Sequence, residues 1–149
     1  MVNTGTQTAK LIAPCGMDCR LCAAYLREVN KCPGCRSGNI NKSPACIRCR
    51  IKNCSKLKKA RALYCYACDI FPCERINHLD ARYRKNYHMS MIENLGYIQA
   101  KGIKAFLRSQ KKTWQCPTCD QMISCHNGLC YKCDIMKLKA KRRKYRWEE

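Results

Sequence analysis

The hydrophobic and polar positions of this chain predict short helices separated by polar loops. Residues 18–29 have apolar positions at helical spacing, and these positions are Leu21, Cys22, Tyr25, Leu26 and Val29. Residues 31–45 are rich in Pro, Gly, Ser and Asn, so they are predicted to form a loop. Residues 55–64 are predicted to form a short basic helix with Ser55 as its N-terminal cap.

The clearest helical signals lie in the middle of the chain. Residues 74–83 are predicted to be helical, with three inward positions: Ile76, Leu79 and Tyr83. Ser90 and Glu93 form a capping box, in which each side chain satisfies an otherwise unpaired backbone N–H, so a helix is predicted to begin there. Its buried stripe comprises Met91, Ile92, Leu95 and Ile98. Gly102 is the predicted stop, and the short helix after it carries Ile103, Phe106 and Leu107.

Sixteen cysteines in 149 residues change this picture. Most of them lie two or three residues apart, a spacing that places two sulfurs on one side of a tight turn, where they can hold one tetrahedral ion. Only two Phe and two Trp serve the whole chain, so its apolar core is thin, and small proteins of this kind are commonly stabilised by metal. We therefore expect a small, metal-stapled, mainly α fold with irregular zinc-knuckle loops.

Disulfides are the alternative role for these cysteines, and the cellular compartment decides between the two. Residues 1–10 are polar, and the apolar stretch at residues 11–14 is too short for the core of a signal peptide. No run approaches the roughly 20 apolar residues that span a bilayer. The expectation is a cytoplasmic protein with reduced, metal-binding thiols and no membrane partner.

The C-terminal cysteines form the strongest motif. Cys116 and Cys119 make one pair, Cys130 and Cys133 make another, and a short connection joins the pairs. This pattern is typical of closed four-sulfur sites such as zinc ribbons, so these four are the predicted ligands of a zinc-ribbon-like site. Two residues of the connection could replace a ligand or have no metal role: Cys125 and His126.

The N-terminal cysteines also predict metal ligands, but their spacing leaves the grouping open. The predicted ligands are Cys15, Cys19, Cys22, Cys32, Cys35, Cys49, Cys54, Cys65, Cys68 and Cys73. Grouping in chain order and interleaved grouping are both compatible with the spacing, and the role of Cys46 stays open. The whole chain is expected to hold about three or four zinc ions. An iron–sulfur cluster is the alternative cofactor, because cysteine alone does not distinguish zinc from iron.

The charge of the chain predicts an anionic partner. Lys and Arg number 30 against 10 acidic residues, a formal net charge of +20, and residues 29–68 contain no acid. A chain of this kind is expected to bind a polyanion, and RNA is favoured over DNA because no recognition helix or zinc-finger spacing occurs. A solvated surface and an anionic membrane are the alternatives. The predicted nucleic-acid contacts are Arg36, Lys42, Arg48, Arg50, Lys52, Lys56, Lys58, Lys59, Arg61, Lys137, Lys139, Lys141, Arg142, Arg143, Lys144 and Arg146.

Four segments of the chain resemble a known family. They read APCGMDCRLCAAY over residues 13–25, CPGC over 32–35, YCYAC over 64–68 and FPCER over 71–75. The family is a cysteine-rich group of small bacterial and archaeal proteins, catalogued as a domain of unknown function. The resemblance extends over residues 11–134. It implies bound zinc and supplies no activity.

Together these features divide the chain into five parts. They are a polar leader (1–10), a cysteine-rich multi-metal region (11–75), a helical segment (76–112), a C-terminal zinc-knuckle site (113–134) and a basic tail (135–149). Zinc-hydrolase motifs and phosphate-binding glycine loops are missing from the sequence. The predicted function is therefore non-catalytic: a zinc protein that binds structured RNA, with ribosomal RNA and the ribosome as expected partners and no small-molecule substrate. The alternatives are an iron–sulfur or redox and metal-handling protein, and a zinc enzyme acting on an anionic substrate.

Overall fold

The computed structural model describes residues 8–142 and their side chains as far as residue 140. Two 3-10 turns, Cys19–Leu21 and Cys65–Ala67, lie among short helices. The α-helices are α1 (Ala23–Leu26), α2 (Pro44–Ile47), α3 (Ser55–Ala60), α4 (Glu74–Tyr87), α5 (Met91–Lys101), α6 (Ile103–Trp114) and α7 (Ile135–Arg142). Isolated antiparallel bridges replace strands in the part of the chain that is described. The mainly α prediction is confirmed.

Helix α5 packs between α4 and α6, and this group of three helices contributes one part of the core. Ile76, Met91, Leu95 and Phe106 are almost completely buried there. The predicted inward stripe is confirmed, although its outer members are only half buried: Leu79, Ile92 and Ile103. The same apolar cluster includes residues of the cysteine-rich region, such as Leu21, so the helical segment and that region share one core.

The start of α5 is capped by a serine, as predicted, but with a different carboxylate. Ser90 Oγ accepts a hydrogen bond from the Glu93 N–H at 3.0 Å. The Glu93 carboxylate instead lies 3.8 Å from the guanidinium of Arg84. Asp80 of α4 takes its place, since its Oδ1 accepts from Ser90 Oγ at 2.6 Å and from the Ile92 N–H at 3.0 Å. A carboxylate from the preceding helix therefore completes the cap.

The continuous helix predicted over residues 18–29 is wrong. The 3-10 turn Cys19–Leu21 and helix α1 are separated by Cys22, whose φ of −79° and ψ of 131° are extended. A continuing helix would direct the Ala23 N–H to the carbonyl of Cys19. That N–H donates instead to His126 Nδ1 at 3.1 Å. A contact from the far end of the chain thus interrupts the helix.

The basic helix predicted over residues 55–64 is shorter than expected and has another cap. Helix α3 is Ser55–Ala60, and Cys54, not Ser55, occupies the cap position. The helix ends because Arg61 adopts a left-handed conformation with φ of 53°. Residues 31–45 are mostly loop as predicted, but their last two residues begin α2, for which Ser43 is the cap.

Some predictions fall outside the described residues. These are the predicted RNA contacts Arg143, Lys144 and Arg146 and most of the polar leader. The backbone of Lys141 and Arg142 belongs to α7. Between residues 8 and 142, no helix is both long and apolar enough to cross a membrane.

Candidate metal centre

The four predicted C-terminal ligands converge on one point. The sulfur atoms of Cys116, Cys119, Cys130 and Cys133 all lie within 4.8 Å of one another. Cys119 Sγ is 3.4 Å from Cys130 Sγ, and Cys116 Sγ is 4.0 Å from Cys133 Sγ. Zinc–sulfur bonds of about 2.3 Å in a tetrahedron require sulfurs about 3.8 Å apart. The donor set and its spacing therefore fit a tetrahedral ion.

Backbone hydrogen bonds shape both cysteine pairs. After α6 ends at Trp114, the chain reverses so that the Cys116 N–H donates to the Gln121 carbonyl at 2.7 Å. The second pair is held by Asp134, whose carboxylate accepts from the Cys130 N–H at 2.9 Å. The Cys133 N–H also donates to Cys130 Sγ at 3.4 Å. Each pair thus presents its sulfurs from a tight turn, as the spacing predicts.

The thiols of this group differ in acidity because their hydrogen-bond partners differ. Backbone N–H groups of Cys119 and Thr118 hydrogen-bond to Cys116 and lower its pKa to about 7. The pKa of Cys133 is raised to about 12, first by its hydrogen bond with the Cys119 thiol. A bound cation would displace these protons and favour four thiolates. Four sulfur ligands complete a tetrahedron, so the arrangement suits a structural ion better than a catalytic one.

Cys125 and His126 lie outside this four-sulfur group and have another role. The Cys125 N–H donates to the Leu21 carbonyl at 3.0 Å. His126 accepts from the Ala23 N–H through Nδ1, and its Nε2 lies 3.0 Å from the Tyr83 hydroxyl. Because Nδ1 is an acceptor, the neutral ring carries its proton on Nε2 and donates it to Tyr83. Burial lowers the pKa of His126 and favours this neutral form.

These contacts dock the loop between the two C-terminal cysteine pairs onto the N-terminal region. Neither Tyr83 nor Ala23 was predicted from the sequence as a partner of His126. Tyr83 was predicted only as an inward-facing residue, and Ala23 carries no side-chain signal at all. The loop between the two C-terminal cysteine pairs is therefore part of the contact between the two ends of the chain.

The N-terminal cysteines approach one another without forming a complete site. Among the described residues, the four C-terminal cysteines are the only group of three or more His, Cys, Asp or Glu side chains whose ligand atoms lie within 4.8 Å of one another. Cys19 and Cys35 are in direct contact, where the Cys35 N–H donates to Cys19 Sγ at 3.3 Å. A hydrogen bond from the Cys19 thiol also lowers the pKa of Cys35 to about 6.

Electrostatic neighbours divide the N-terminal sulfurs into two groups. Cys22 interacts with Cys35 and Cys32, which places these three with Cys19. The second group surrounds Cys65 and consists of Cys73, Cys54, Cys68 and Cys49. The pKa of Cys15 is raised to about 12, first by burial and in smaller part by sulfurs of both groups. Cys15 thus lies between the groups, whereas Cys46 is exposed on α2. Metal binding by the ten N-terminal residues remains a prediction.

This region carries the relationship to known proteins. Residues 11–78 match the family described as Protein of unknown function (DUF3795). The match confirms the resemblance to a cysteine-rich family of unknown function. It is shorter than the 11–134 expected, and it stops before the C-terminal four-sulfur group. No curated protein and no solved structure matches the chain.

The DUF3795 region also contains most of the predicted RNA contacts that the structure describes. Arg36 is engaged by the fold, because its guanidinium donates to the carbonyls of Ile12 and Leu63 and lies 5.0 Å from the centre of the Tyr64 ring. Lys42 donates to the Ser37 carbonyl at 2.7 Å. The exposed members are Arg48, Arg50, Lys56, Lys58, Lys59, Arg61, Lys137 and Lys139, and Lys52 is half buried.

Proposed function

We propose that this protein is a non-catalytic metalloprotein that binds structured RNA, with zinc as its metal and ribosomal RNA as its favoured partner. The observation that carries the proposal is the excess of exposed, unpaired cations. The described lysines and arginines paired with acids are Arg20, Lys56, Arg84 and Lys137. With 30 basic residues against 10 acidic ones, most of the positive charge has no acidic partner within the chain. A polyanion supplies that partner.

The metal serves this function by fixing loops in defined shapes. The C-terminal four-sulfur group suits a closed structural site, and the two N-terminal sulfur groups have enough thiols for further ions. Rigid loops hold exposed lysines and arginines at fixed positions, where they can contact phosphates of a folded RNA. We expect about three or four zinc ions per chain in total.

The test is RNA binding by the metal-loaded full chain. Fluorescence anisotropy with a labelled RNA hairpin should show affinity that falls steeply with salt, because each neutralised phosphate releases counterions. Sedimentation of a native lysate should also place the protein with ribosomes. Absence of hairpin binding at low salt would overturn the RNA proposal, and migration away from ribosomes would overturn the ribosomal one.

A further inference from the structure

A groove with a volume of about 900 Å³ lies between helix α4 and the loop that follows α2. Four of its lining residues are arginines: Arg48, Arg50, Arg75 and Arg82. Two of them, Arg75 and Arg82, lie on α4 and were not among the RNA contacts predicted from sequence. We call this feature the arginine groove.

One wall of the arginine groove is a single face of α4. Arg75, His78 and Arg82 are separated by three and four residues, so their side chains share that face. A helix rises 1.5 Å per residue, which places Arg75 and Arg82 about 10 Å apart along the axis. This is close to the length of three stacked nucleotides, at about 3.4 Å each.

The other wall is a loop whose shape is fixed by hydrogen bonds. The Asn53 side chain donates to the Ile47 and Cys49 carbonyls at 3.0 and 2.9 Å. Arg75 joins the two walls, because its Nη1 donates to the Arg50 carbonyl at 3.0 Å. The groove is therefore formed before any ligand arrives, which reduces the entropic cost of binding.

Charge in the groove is strongly positive and uncompensated. Its one acidic residue, Glu74, lies 3.6 Å from His78 and is turned to solvent, with 89% of its side chain exposed. None of the four groove arginines forms an ion pair with the acids that the structure describes. Like charges held together in this way favour an anion with several charges.

We propose that the arginine groove binds consecutive phosphates of an RNA strand. Arg48, Arg50 and Arg82 contact the phosphates, and Arg75 holds the walls together. A guanidinium presents paired N–H donors that match two phosphate oxygens, which a lysine ammonium cannot do. The length of the groove and its several cations fit a phosphodiester chain better than one free phosphate. The assignment rests on the proposed function and locates it on one surface.

The experiment compares two triple variants of the zinc-loaded full chain. The groove variant is Arg48→Gln, Arg50→Gln and Arg82→Gln. The control variant, on the exposed surface of α5 and α6, is Lys101→Gln, Lys104→Gln and Lys111→Gln. Both lose three positive charges, so long-range electrostatics change equally. The probe is a fluorescein-labelled RNA hairpin, titrated at several salt concentrations. Circular dichroism and zinc content check the fold, and the single variant Arg82→Gln replaces the triple one if that fails to fold.

The groove variant should lose about 2 to 3 units of the slope of log affinity against log salt, since each phosphate contact contributes about 0.7 to 0.9. With the single-strand value of about 0.7 per contact, the affinity of wild type should fall roughly 20-fold more than that of the groove variant as the salt concentration rises from about 50 to 200 mM. The single Arg82→Gln variant should lose about 0.7 to 0.9 of a unit. The control variant should keep most of the wild-type slope.

Equal losses in both triple variants, or none in either, would overturn the groove assignment while leaving RNA binding intact. An unchanged salt slope in the single variant Arg82→Gln would also overturn the groove assignment. Failure of the wild-type chain to bind the hairpin would overturn both proposals. Replacement of the three arginines by lysine provides a further readout, because it keeps the charge and removes the paired donors. That variant should bind more weakly than wild type; wild-type affinity would contradict the paired contacts.

Discussion

Replacing Ser90 with Ala should destabilise the protein well beyond the loss of an ordinary surface hydroxyl. Ser90 Oγ accepts from the Glu93 N–H at 3.0 Å and from Arg84 Nη2 at 3.0 Å. It also donates to the Asp80 carboxylate at 2.6 Å, and that side chain is only 8% exposed. The hydroxyl therefore caps α5 and also stabilises a buried charge.

The expected loss is the sum of two effects. Removal of a serine N-cap lowers the free energy of unfolding by about 1 kcal/mol. Loss of a hydrogen bond to a buried charged group lowers it by about 1.5 to 3 kcal/mol. Asp80 keeps its contact with Arg84 at 2.6 Å, which moderates the loss. We expect a total of about 2 to 4 kcal/mol.

Urea unfolding of the zinc-loaded protein, followed by circular dichroism, measures this loss. With a slope near 2 kcal/mol per molar urea, the midpoint should fall by about 1 to 2 M. Ser55→Ala is the matched control, because Ser55 is exposed and Cys54 occupies the cap position of α3. Its effect should stay within about 0.5 kcal/mol. A midpoint for Ser90→Ala as close to wild type as that of Ser55→Ala would refute the reasoning.

Two further substitutions test other contacts. Gly16 has φ of +92°, and a Cβ there would lie 3.0 Å from Leu95 Cγ, so Gly16→Ala should lower the free energy of unfolding by about 1 to 3 kcal/mol. Gly38→Ala has open space and should be nearly neutral in the same urea unfolding assay; equal midpoints for both variants would contradict the packing argument. Burial lowers the pKa of His126, so the unfolded chain takes up this proton at a higher pH than the folded one. Stability should therefore fall as pH drops below about 6.5, by at most about 1.4 kcal/mol per pH unit from this group. His126→Asn should remove this contribution to the slope of the free energy of unfolding against pH. The control His88→Asn, at an exposed histidine, should keep it. Identical pH profiles for wild type and His126→Asn would refute the burial argument.

Local signals predicted the parts of the fold that local contacts determine. Periodic apolar residues predicted α4 to α6, and Ser90 predicted the start of α5, because a cap acts within one turn. The C-terminal four-sulfur group was also predictable. Its ligands lie in two close pairs joined by a short connection, so few groupings are possible.

Long-range contacts explain the failures. The helix over residues 18–29 is interrupted because His126 takes the N–H of Ala23, a partner about a hundred residues away. Asp80 displaces Glu93 from the cap because α4 lies beside the start of α5. The grouping of the N-terminal sulfurs depends on the path of the backbone through the whole cysteine-rich region. The arginine groove also depends on long-range contacts, because its two walls are separate in sequence.

The central claim is that cysteine-bound metal holds this chain in shape, and elemental analysis of purified protein tests it most directly. Wild type should contain about three or four zinc equivalents, and Cys116→Ser should contain one fewer, because it removes a ligand of the four-sulfur group. Cys46→Ser should match wild type, since Cys46 is exposed and outside both N-terminal groups. Iron with a brown colour would favour the iron–sulfur alternative. Absence of any transition metal, or equal zinc content in wild type and Cys116→Ser, would contradict the account.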